Sequence, residues 1–461
     1  MSEVEVLDAF AQEHIKTLAG MNEDDAFSCL ARADHLMKNR SLWLPTSKRI
    51  EILEKAAQLV ADNRELLALE AAKEGGKPLV DSFVEVDRGV EGIKVAVKEL
   101  AHLGGREIPM DMNPASAGRL AYTRRVPRGV VLAISAFNHP FNLIVHQAIP
   151  AIAVGCPVLI KPAATTPLSC QNLLDILYTA GLPKEWCQMV LCENDVAEKL
   201  VSDPRVSFLT FIGSAKVGWY LRSKLPPGAA CALEHGGAAP VIVDSSADLE
   251  KAYPLLVKGG FYHAGQVCVS VQRIFVHQQI EKEFVETFAA KASTLKVGDP
   301  SLESTDVGPL ILPREVDRVE AWVREAVEQG AKLVCGGKRI SDTCFAPTVL
   351  LNPSKDSLVA RKEIFGPVVC IFSYESLSDA IQMANDTEYA FQAAIFSNDH
   401  RAIFQSIEEL EGLAIMVNEH SAFRVDWMPF GGYRQSGLGV GGIGHSMLDM
   451  TLEKMFVIRL D

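Results

Sequence analysis

The sequence predicts an α/β fold built from two doubly wound parallel-sheet domains. Two stretches of the chain, 129–235 and 240–417, each alternate short apolar runs with longer amphipathic ones. Such alternation is typical of parallel strands joined by helices that cover both faces of a sheet. A length of 461 residues also exceeds that of one ordinary domain.

The elements of both series can be placed from their hydrophobic periodicity and from Gly and Pro. In the first series, strands are expected at 129–135, 157–161, 187–191, 205–211 and 229–234, and helices at 141–154, 166–180 and 215–225. In the second, strands are expected at 272–276, 368–372 and 394–397, and helices at 281–295 and 315–330.

The first hundred residues are expected to be helical. One amphipathic pattern runs over 47–73 and is closed by Gly75 and Gly76, and a second runs over 78–103. The segments 120–126 and 451–460 instead resemble strands, and no helix follows the second of them.

The composition excludes several classes of protein. The chain has 58 acidic and 45 basic residues and a net charge of −13, which argues against a nucleic-acid scaffold or a polybasic membrane binder. The acidic N-terminus is unlike a signal peptide, and no apolar run reaches the roughly 18 residues of a membrane span. A cytoplasmic protein is therefore predicted. The ten cysteines form no CxxC pair and no cluster with zinc spacing, so no metal site is predicted.

A dinucleotide fingerprint, GxGxxG, occurs at Gly439, Gly441 and Gly444. No clear strand precedes it, and too little chain follows it to build a βαβ unit. We interpret it as a glycine-rich turn that leads into the last helix and strand.

A better phosphate site lies at 208–214 (FLTFIGS), where an apolar strand ends in Gly213 and Ser214 and a helix follows with Gly218 in its first turn. The free N–H groups and the dipole at the start of a helix suit a pyrophosphate. Ser214 is a natural N-cap for that helix, which is also its ordinary structural role.

Four segments place reactive side chains near the ends of predicted strands. They are 137–141 (FNHPF), 233–237 (LEHGG), 265–268 (GQVC) and 363–367 (EIFGP). In α/β sheets, ligands bind at the carboxyl ends of the strands. Asn138 and Glu234 are therefore expected at that edge, whereas Cys268 lies in a polar segment between a predicted helix and a strand, and Glu363 lies ahead of a turn.

Together with 161–162 (KP), 211–214 (FIGS) and 429–432 (PFGG), these segments resemble the aldehyde dehydrogenase superfamily in order and approximate spacing. The resemblance covers nearly the whole chain. It implies a non-acylating enzyme that oxidises an aldehyde to the carboxylic acid with NAD(P)+.

The resemblance also implies roles for single residues. Cys268 matches the nucleophile, Asn138 the side-chain donor of the oxyanion hole, and Glu234 the general base that activates water. The expected cofactor-binding residues are Lys161 at the adenosine ribose, Ser214 at the pyrophosphate, Glu363 and Phe365 at the nicotinamide ribose and ring, and also Ser135, Phe137, Ala164, Gly213, Gly218 and Gly236.

Two positions depart from the family pattern. Ala164 stands where the family commonly has an acid that binds the ribose hydroxyls and repels a 2′-phosphate, so NADP+ is expected to be accepted beside NAD+. His235, next to the expected base, replaces a usual apolar residue. It either tunes Glu234 or is a buried, hydrogen-bonded histidine.

The segments that border the family's substrate entrance contain His139, Val267 and Arg424. A cation there suits a small anionic aldehyde, such as a semialdehyde, phosphonate, sulfonate or phosphorylated aldehyde. The alternative is that Arg424 is a structural ion-pair partner. Val267 adds no charge.

The resemblance implies three units. Residues 1–111 and 129–235 form a cofactor-binding domain, on which part of 420–444 packs. Residues 236–419 form a catalytic domain that carries Cys268. Residues 112–128 and 445–461 form a projecting β arm, whose exposed edges indicate a homodimer or homotetramer. Two alternatives remain, a CoA-acylating semialdehyde dehydrogenase and a catalytically silent structural protein of the same fold.

Overall fold

A computed structural model describes residues 3–460 of the chain. The first part of the chain contains β1 (Glu3–Leu7), β2 (His14–Ala19), α1 (Glu23–Lys38), α2 (Thr46–Asp62), α3 (Arg64–Gly75), α4 (Leu79–Glu99), β3 (Glu107–Ile108) and β4 (Arg119–Pro127). Helices α2, α3 and α4 pack against one another and against two later helices, Asn142–Val154 and Pro167–Ala180, which belong to the first parallel-sheet unit.

That first sheet follows the predicted series closely. Its elements are β5 (Val130–Ile134), α5 (Asn142–Val154), β6 (Val158–Lys161), α6 (Pro167–Ala180), β7 (Cys187–Met189), α7 (Asn194–Val201), β8 (Val206–Ile212), α8 (Ala215–Arg222) and β9 (Ala230–Glu234). The five strands are parallel, in the order β9-β8-β5-β6-β7. The carboxyl ends of these strands therefore lie along one edge of the sheet.

The second sheet is built from the second series. Its part of the chain contains β10 (Ala239–Val243), α9 (Leu249–Phe261), β11 (Val271–His277), α10 (Glu281–Ser293), α11 (Pro313–Glu328), β12 (Lys332–Cys335), β13 (Thr348–Leu351), α12 (Leu358–Arg361), β14 (Val368–Tyr374), α13 (Leu377–Asn385), β15 (Tyr389–Ala390), β16 (Gln392–Phe396), α14 (His400–Glu409) and β17 (Ala414–Val417). The strand order is β12-β13-β14-β11-β10-β16-β17, and only β12 runs antiparallel to its neighbour.

The last part of the chain returns to the first sheet. It contains β18 (Tyr433–Arg434), β19 (Gly437–Leu438), α15 (Ile443–Asp449) and β20 (Thr451–Arg459). β19 adds an antiparallel edge next to β9. β20 pairs with β4, and with β3 the two form a separate three-stranded antiparallel sheet.

The predicted fold class is confirmed, because two helix-covered, mainly parallel sheets and an antiparallel arm sheet are present. The expected domain boundaries stay a prediction. Within residues 3–460, none of the helices combines the length and apolar character needed to cross a bilayer.

Two predictions about the first hundred residues were wrong. The chain begins with the antiparallel pair β1 and β2 rather than a helix, because period-two alternation puts Val6 and Leu18 against a small apolar cluster. The single helix expected over 47–73 is two helices, which meet at Asn63.

Candidate active site

One cavity of about 1040 Å³ lies at the carboxyl edge of the first sheet and extends to the loop before β11. Nearly all residues that the sequence nominated line it: Ser135, Phe137, Asn138, His139, Lys161, Ala164, Gly213, Ser214, Glu234, Gly236, Val267, Cys268, Glu363, Phe365 and Arg424. Gly218 is the exception and does not line the cavity. A Cβ on it would overlap the ring of His235, so this glycine permits close packing of α8 rather than contact with a ligand.

The loop that carries Cys268 has an unusual backbone. His263, Ala264 and Gly265 have φ values of 50°, 54° and 68°, which is the left-handed region. Gly265 is required there, because a Cβ would overlap the carbonyl of Gly366. This packing fixes the loop three residues before the thiol.

The Cys268 thiol is half-buried, and its surroundings favour the neutral form. Burial raises its pKa to about 12; the carboxylates of Glu363 and Glu234 raise it as well, while Arg424 lowers it. A thiol with this pKa needs a base, or a change in its surroundings, before it can attack.

Asn138 lies in the loop after β5 and is buried. Its Nδ2 donates to the main-chain carbonyl of Gln266 at 2.9 Å, which holds the side-chain amide beside the Cys268 loop. An amide N–H next to a nucleophile is the kind of donor that stabilises a developing oxyanion.

Glu234 is the last residue of β9, so the strand delivers its carboxylate directly to the cavity. Burial raises its pKa, and Arg424 opposes this effect. Its carboxylate occupies space left by Gly441, where a Cβ would overlap Oε1. The second glycine of the GxGxxG motif therefore makes room for the expected base.

At the other end of the cavity, Lys161 ends β6 and Ser214 precedes α8. Within residues 3–460 the buried Lys161 ammonium has no hydrogen bond or ion pair, and burial lowers its pKa. Ser214 occupies the N-cap position, yet its side chain makes no capping hydrogen bond. The buried Ser135 hydroxyl has no partner either. An unpaired cation, a free helix start and an unpaired hydroxyl fit a dinucleotide phosphate and ribose.

Glu363 and Phe365 lie between these two ends. Gly237 N donates to Glu363 Oε1 at 3.2 Å, and burial raises the pKa of this carboxyl to about 8. Gly236 has no Cβ, which would overlap that carboxylate. Phe365 has a φ of 49° and meets Phe137 edge to face, with centroids 5.8 Å apart.

His235 is buried and structural. Its ring meets Phe211 and Trp219 edge to face, Nδ1 lies 2.9 Å from the Gln435 carbonyl, and burial lowers its pKa. These contacts favour the interpretation of His235 as a buried, hydrogen-bonded histidine over the interpretation that it tunes Glu234.

Arg424 faces the thiol end of the cavity without a carboxylate partner among residues 3–460. Its guanidinium lies 3.5 Å from the Phe430 ring centroid, and its Nη2 lies 3.3 Å from His146 Nδ1. The alternative role as an ion-pair partner is therefore not seen. Val267 is buried with Phe430 in a small apolar cluster beside it.

His139 differs from the expectation of a cation. Its Nδ1 contacts the buried ammonium of Lys77, which is paired with Glu85. Burial and the Lys77 charge keep the pKa of His139 well below its ordinary value. The ring is therefore neutral, and it borders the cavity as a polar wall.

Arg88, His146 and Asp426 were not predicted from the sequence. Arg88 lies on α4 and lines the cavity, and it pairs with Asp426 through Nη2 at 2.8 Å and Nε at 3.2 Å. His146 Nε2 lies 2.6 Å from the same carboxylate. No local motif marks these residues, since Arg88 fits the polar side of an ordinary amphipathic helix. Among the described residues, no group of three or more His, Cys, Asp or Glu side chains could hold a metal ion.

The known proteins that this chain resembles are aldehyde dehydrogenases. The model of the aldehyde dehydrogenase family matches residues 1–456. A 3-sulfolactaldehyde dehydrogenase from Priestia aryabhattai is 39% identical over 458 residues, covering 99% of this chain and 95% of that protein. A lactaldehyde dehydrogenase from Methanocaldococcus jannaschii is 37% identical, covering 99% and 97%.

Solved structures of similar proteins superpose on this chain over nearly its whole length. Aldehyde dehydrogenase 21 from Physcomitrella patens, in complex with the reaction product succinate, has a TM-score of 0.96 and 32% identity, covering 100% of this chain and 95% of that one. Glyceraldehyde-3-phosphate dehydrogenase from M. jannaschii, complexed with NADP, has a TM-score of 0.93 and 36% identity, covering 99% of both chains.

Proposed function

Because this chain belongs to the aldehyde dehydrogenase family, we propose that it oxidises an aldehyde to its carboxylic acid with NAD(P)+, using Cys268 as the nucleophile. The observation that carries the proposal is one cavity that joins Cys268, Glu234 and Asn138 to Lys161 and Ser214. One bound aldehyde can thus meet a thiol, a base and an oxyanion donor, and the same cavity offers a phosphate site for the cofactor.

A bound NAD(P)+ supplies the hydride acceptor for the reaction. Lys161 and Ser214 would hold its adenosine ribose and pyrophosphate, and Glu363 and Phe365 would hold its nicotinamide half. These residues fit such a ligand because Lys161, Ser214 and Ser135 leave polar groups free in the cavity.

The reaction begins when Cys268 gives its proton to the Glu234 carboxylate, which passes it on to solvent, and the sulfur bonds to the aldehyde carbon. The aldehyde oxygen becomes an oxyanion, which the Asn138 amide and the Cys268 backbone N–H stabilise; losing one such donor typically costs about 100- to 1,000-fold in rate. Loss of hydride leaves a thioester on Cys268. Glu234 then takes a proton from water, which displaces the thiolate and releases the acid.

We propose that NADP+ is accepted beside NAD+. Segment 161–165 contains no carboxylate, so the carboxylate that would repel a 2′-phosphate is absent at Ala164. Measuring kcat/KM for both cofactors tests this, and a 100-fold preference for NAD+ would contradict it.

The proposed substrate is a small anionic aldehyde. Arg424 and Arg88 line one end of the cavity, and among residues 3–460 the only carboxylate within ion-pair distance of either is Asp426, which pairs with Arg88. Arg424 has no ion pair within residues 3–460, although Glu234 acts on it at longer range, so its guanidinium can bind a carboxylate, sulfonate or phosphate group.

Arg424→Glu tests this substrate class. The KM of an anionic aldehyde is expected to rise strongly, while that of a neutral aldehyde of the same length changes little. Equal effects on both aldehydes would refute the role of Arg424 in binding the anionic group.

A panel of aldehydes assayed with NAD+ and NADP+, with and without coenzyme A, tests the function as a whole. Acid as the product, formed at the same rate without coenzyme A, is expected because Glu234 shares the cavity with Cys268 and a carboxylate there can activate water. A coenzyme A thioester would favour the acylating alternative. No NAD(P)H from any aldehyde would favour the silent structural protein.

A further inference from the structure

Behind Arg424, buried polar side chains form a continuous chain of hydrogen bonds. Arg424 Nη2 lies 3.3 Å from His146 Nδ1, and His146 Nε2 lies 2.6 Å from Asp426 Oδ1. Asp426 also accepts from Arg88, and from Asn142 Nδ2 at 3.2 Å. His146 and Asp426 do not line the cavity, so they reach the substrate only through other side chains.

The donors and acceptors fix the state of the His146 ring. A guanidinium can only donate, so Nδ1 must present its lone pair to Arg424. The hydrogen of the neutral ring is then on Nε2, where it donates to the Asp426 carboxylate. Burial, with help from Arg424 and Arg88, lowers the pKa of His146 to about 4 although Asp426 opposes this, so the ring is neutral near pH 7.

These hydrogen bonds restrict the motion of the Arg424 side chain without neutralising its charge. The Phe430 ring covers the guanidinium, and His146 binds one of its nitrogens. Its Nε is buried and has no partner within residues 3–460. An arginine held at two points keeps its charge and free donors for a ligand, and it loses little conformational freedom on binding one.

We propose that His146 and Asp426 are positioning residues for the anionic end of the substrate. Asp426 selects the Nε2–H form of His146, and His146 holds Arg424 where it meets the anion. This inference rests on the proposed aldehyde oxidation and adds the part of the molecule that prepares its substrate site.

The pair of variants His146→Leu and His146→Asn tests the role, with succinic semialdehyde and butanal as anionic and neutral probes of equal length. Leucine removes the acceptor, whereas the asparagine oxygen stands as far from the backbone as Nδ1 does. His146→Leu is expected to raise the KM for succinic semialdehyde about tenfold or more, because a hydrogen bond to a charged group is lost. The KM for butanal, and the kcat for both aldehydes, stay within about twofold of the wild type. His146→Asn recovers most of the lost affinity.

Asp426→Asn is the second variant, and it keeps the side-chain volume. Its amide can donate to Nε2 and select the wrong form of the ring, so the KM for succinic semialdehyde rises in the same direction. Titration with NADPH, followed by fluorescence, checks that each variant is folded. Equal changes for both aldehydes, or a change in kcat alone, overturn the positioning role. A wild type that oxidises neither aldehyde and does not bind succinate in calorimetry overturns the anion site itself, which is a different failure.

Discussion

At the scale of single residues, the Cys268 thiol combines partial exposure with a high pKa. Burial raises this pKa to about 12, so in the protein without cofactor the thiolate is a small fraction at neutral pH. Below the pKa, that fraction increases about tenfold for each pH unit.

We therefore expect the rate at which iodoacetamide alkylates Cys268 to rise steadily from pH 7 to pH 10, without a plateau. Peptide mass spectrometry separates Cys268 from the other cysteines, and Cys268→Ala is the control, which also abolishes oxidation but keeps cofactor binding. A plateau below pH 8 would mean that a neighbour stabilises the thiolate more than burial opposes it.

Gly441 makes room for the carboxylate of Glu234. In Gly441→Ala the new Cβ overlaps Oε1 and comes within 2.9 Å of the Phe430 carbonyl, and the flexible carboxylate moves more easily than the backbone. A displaced base slows hydrolysis of the thioester, so a burst of NAD(P)H followed by a kcat at least tenfold lower is expected.

Gly444→Ala is the matched control for this prediction. Gly444 belongs to the same glycine motif but lies in α15, and the atoms nearest to its Cβ would belong to the flexible side chain of Glu99, at 3.3 Å. If both alanine variants have the same kcat, the space beside Glu234 does not control the reaction.

Recognisable segments at or after strand ends predicted that Asn138 and Glu234 lie in the cavity, while their catalytic roles stay a prediction. The sequence was insufficient for Arg88, His146 and Asp426. They are separated along the chain and meet only through tertiary packing, so no spacing connects them.

At the scale of elements, helices α5 and α6 begin without a capping side chain of their own. Carboxylates from other helices take that role. Glu85 Oε1 accepts from Phe141 N and Asn142 N, and Glu74 accepts from Leu168 N and Ser169 N, each at 2.8 to 2.9 Å. The helix starts are thereby fixed to α4 and α3.

Glu74→Ala leaves two buried N–H groups of α6 without an acceptor, and each such group costs about 1–3 kcal/mol. We expect a lower urea midpoint than in Glu74→Gln, whose carbonyl oxygen can still accept. Equal midpoints for the two variants would mean that water replaces the carboxylate without loss.

The length of an apolar face explains which elements could be predicted from the sequence and which could not. Periodicity located α5 and α6 to within a residue or two, because their apolar faces are long. It missed β1 and β2, whose strands have five and six residues and depend on a distant cluster, and it missed the break at Asn63.

At the scale of the whole molecule, β20 lies at an edge of the arm sheet and pairs only with β4 within residues 3–460. Met455 and Val457, on one face of this strand, are 54% and 50% exposed. Exposed apolar edges of this kind favour association with another strand.

We predict that the 50.2 kDa chain forms a dimer or tetramer in sedimentation experiments. The double variant Met455→Lys with Val457→Lys is expected to shift the mass toward the monomer. Lysines at the exposed Leu66 and Leu69 of α3 control for added charge. A monomeric wild type at micromolar concentration would contradict the prediction.

The close packing around the thiol determines which parts of the site can be changed by protein engineering. Gly265 tolerates no side chain against Gly366, and the Asn138 amide is bonded to Gln266, so the Cys268 loop fits only the loops that surround it. A transplant of that loop into another scaffold therefore fails unless both neighbouring loops are transferred with it. Arg88 and Arg424, in contrast, reach the cavity by their side chains. If the proposed function holds, a mutant library at these two positions is expected to change aldehyde preference without disturbing the backbone of the Cys268 loop.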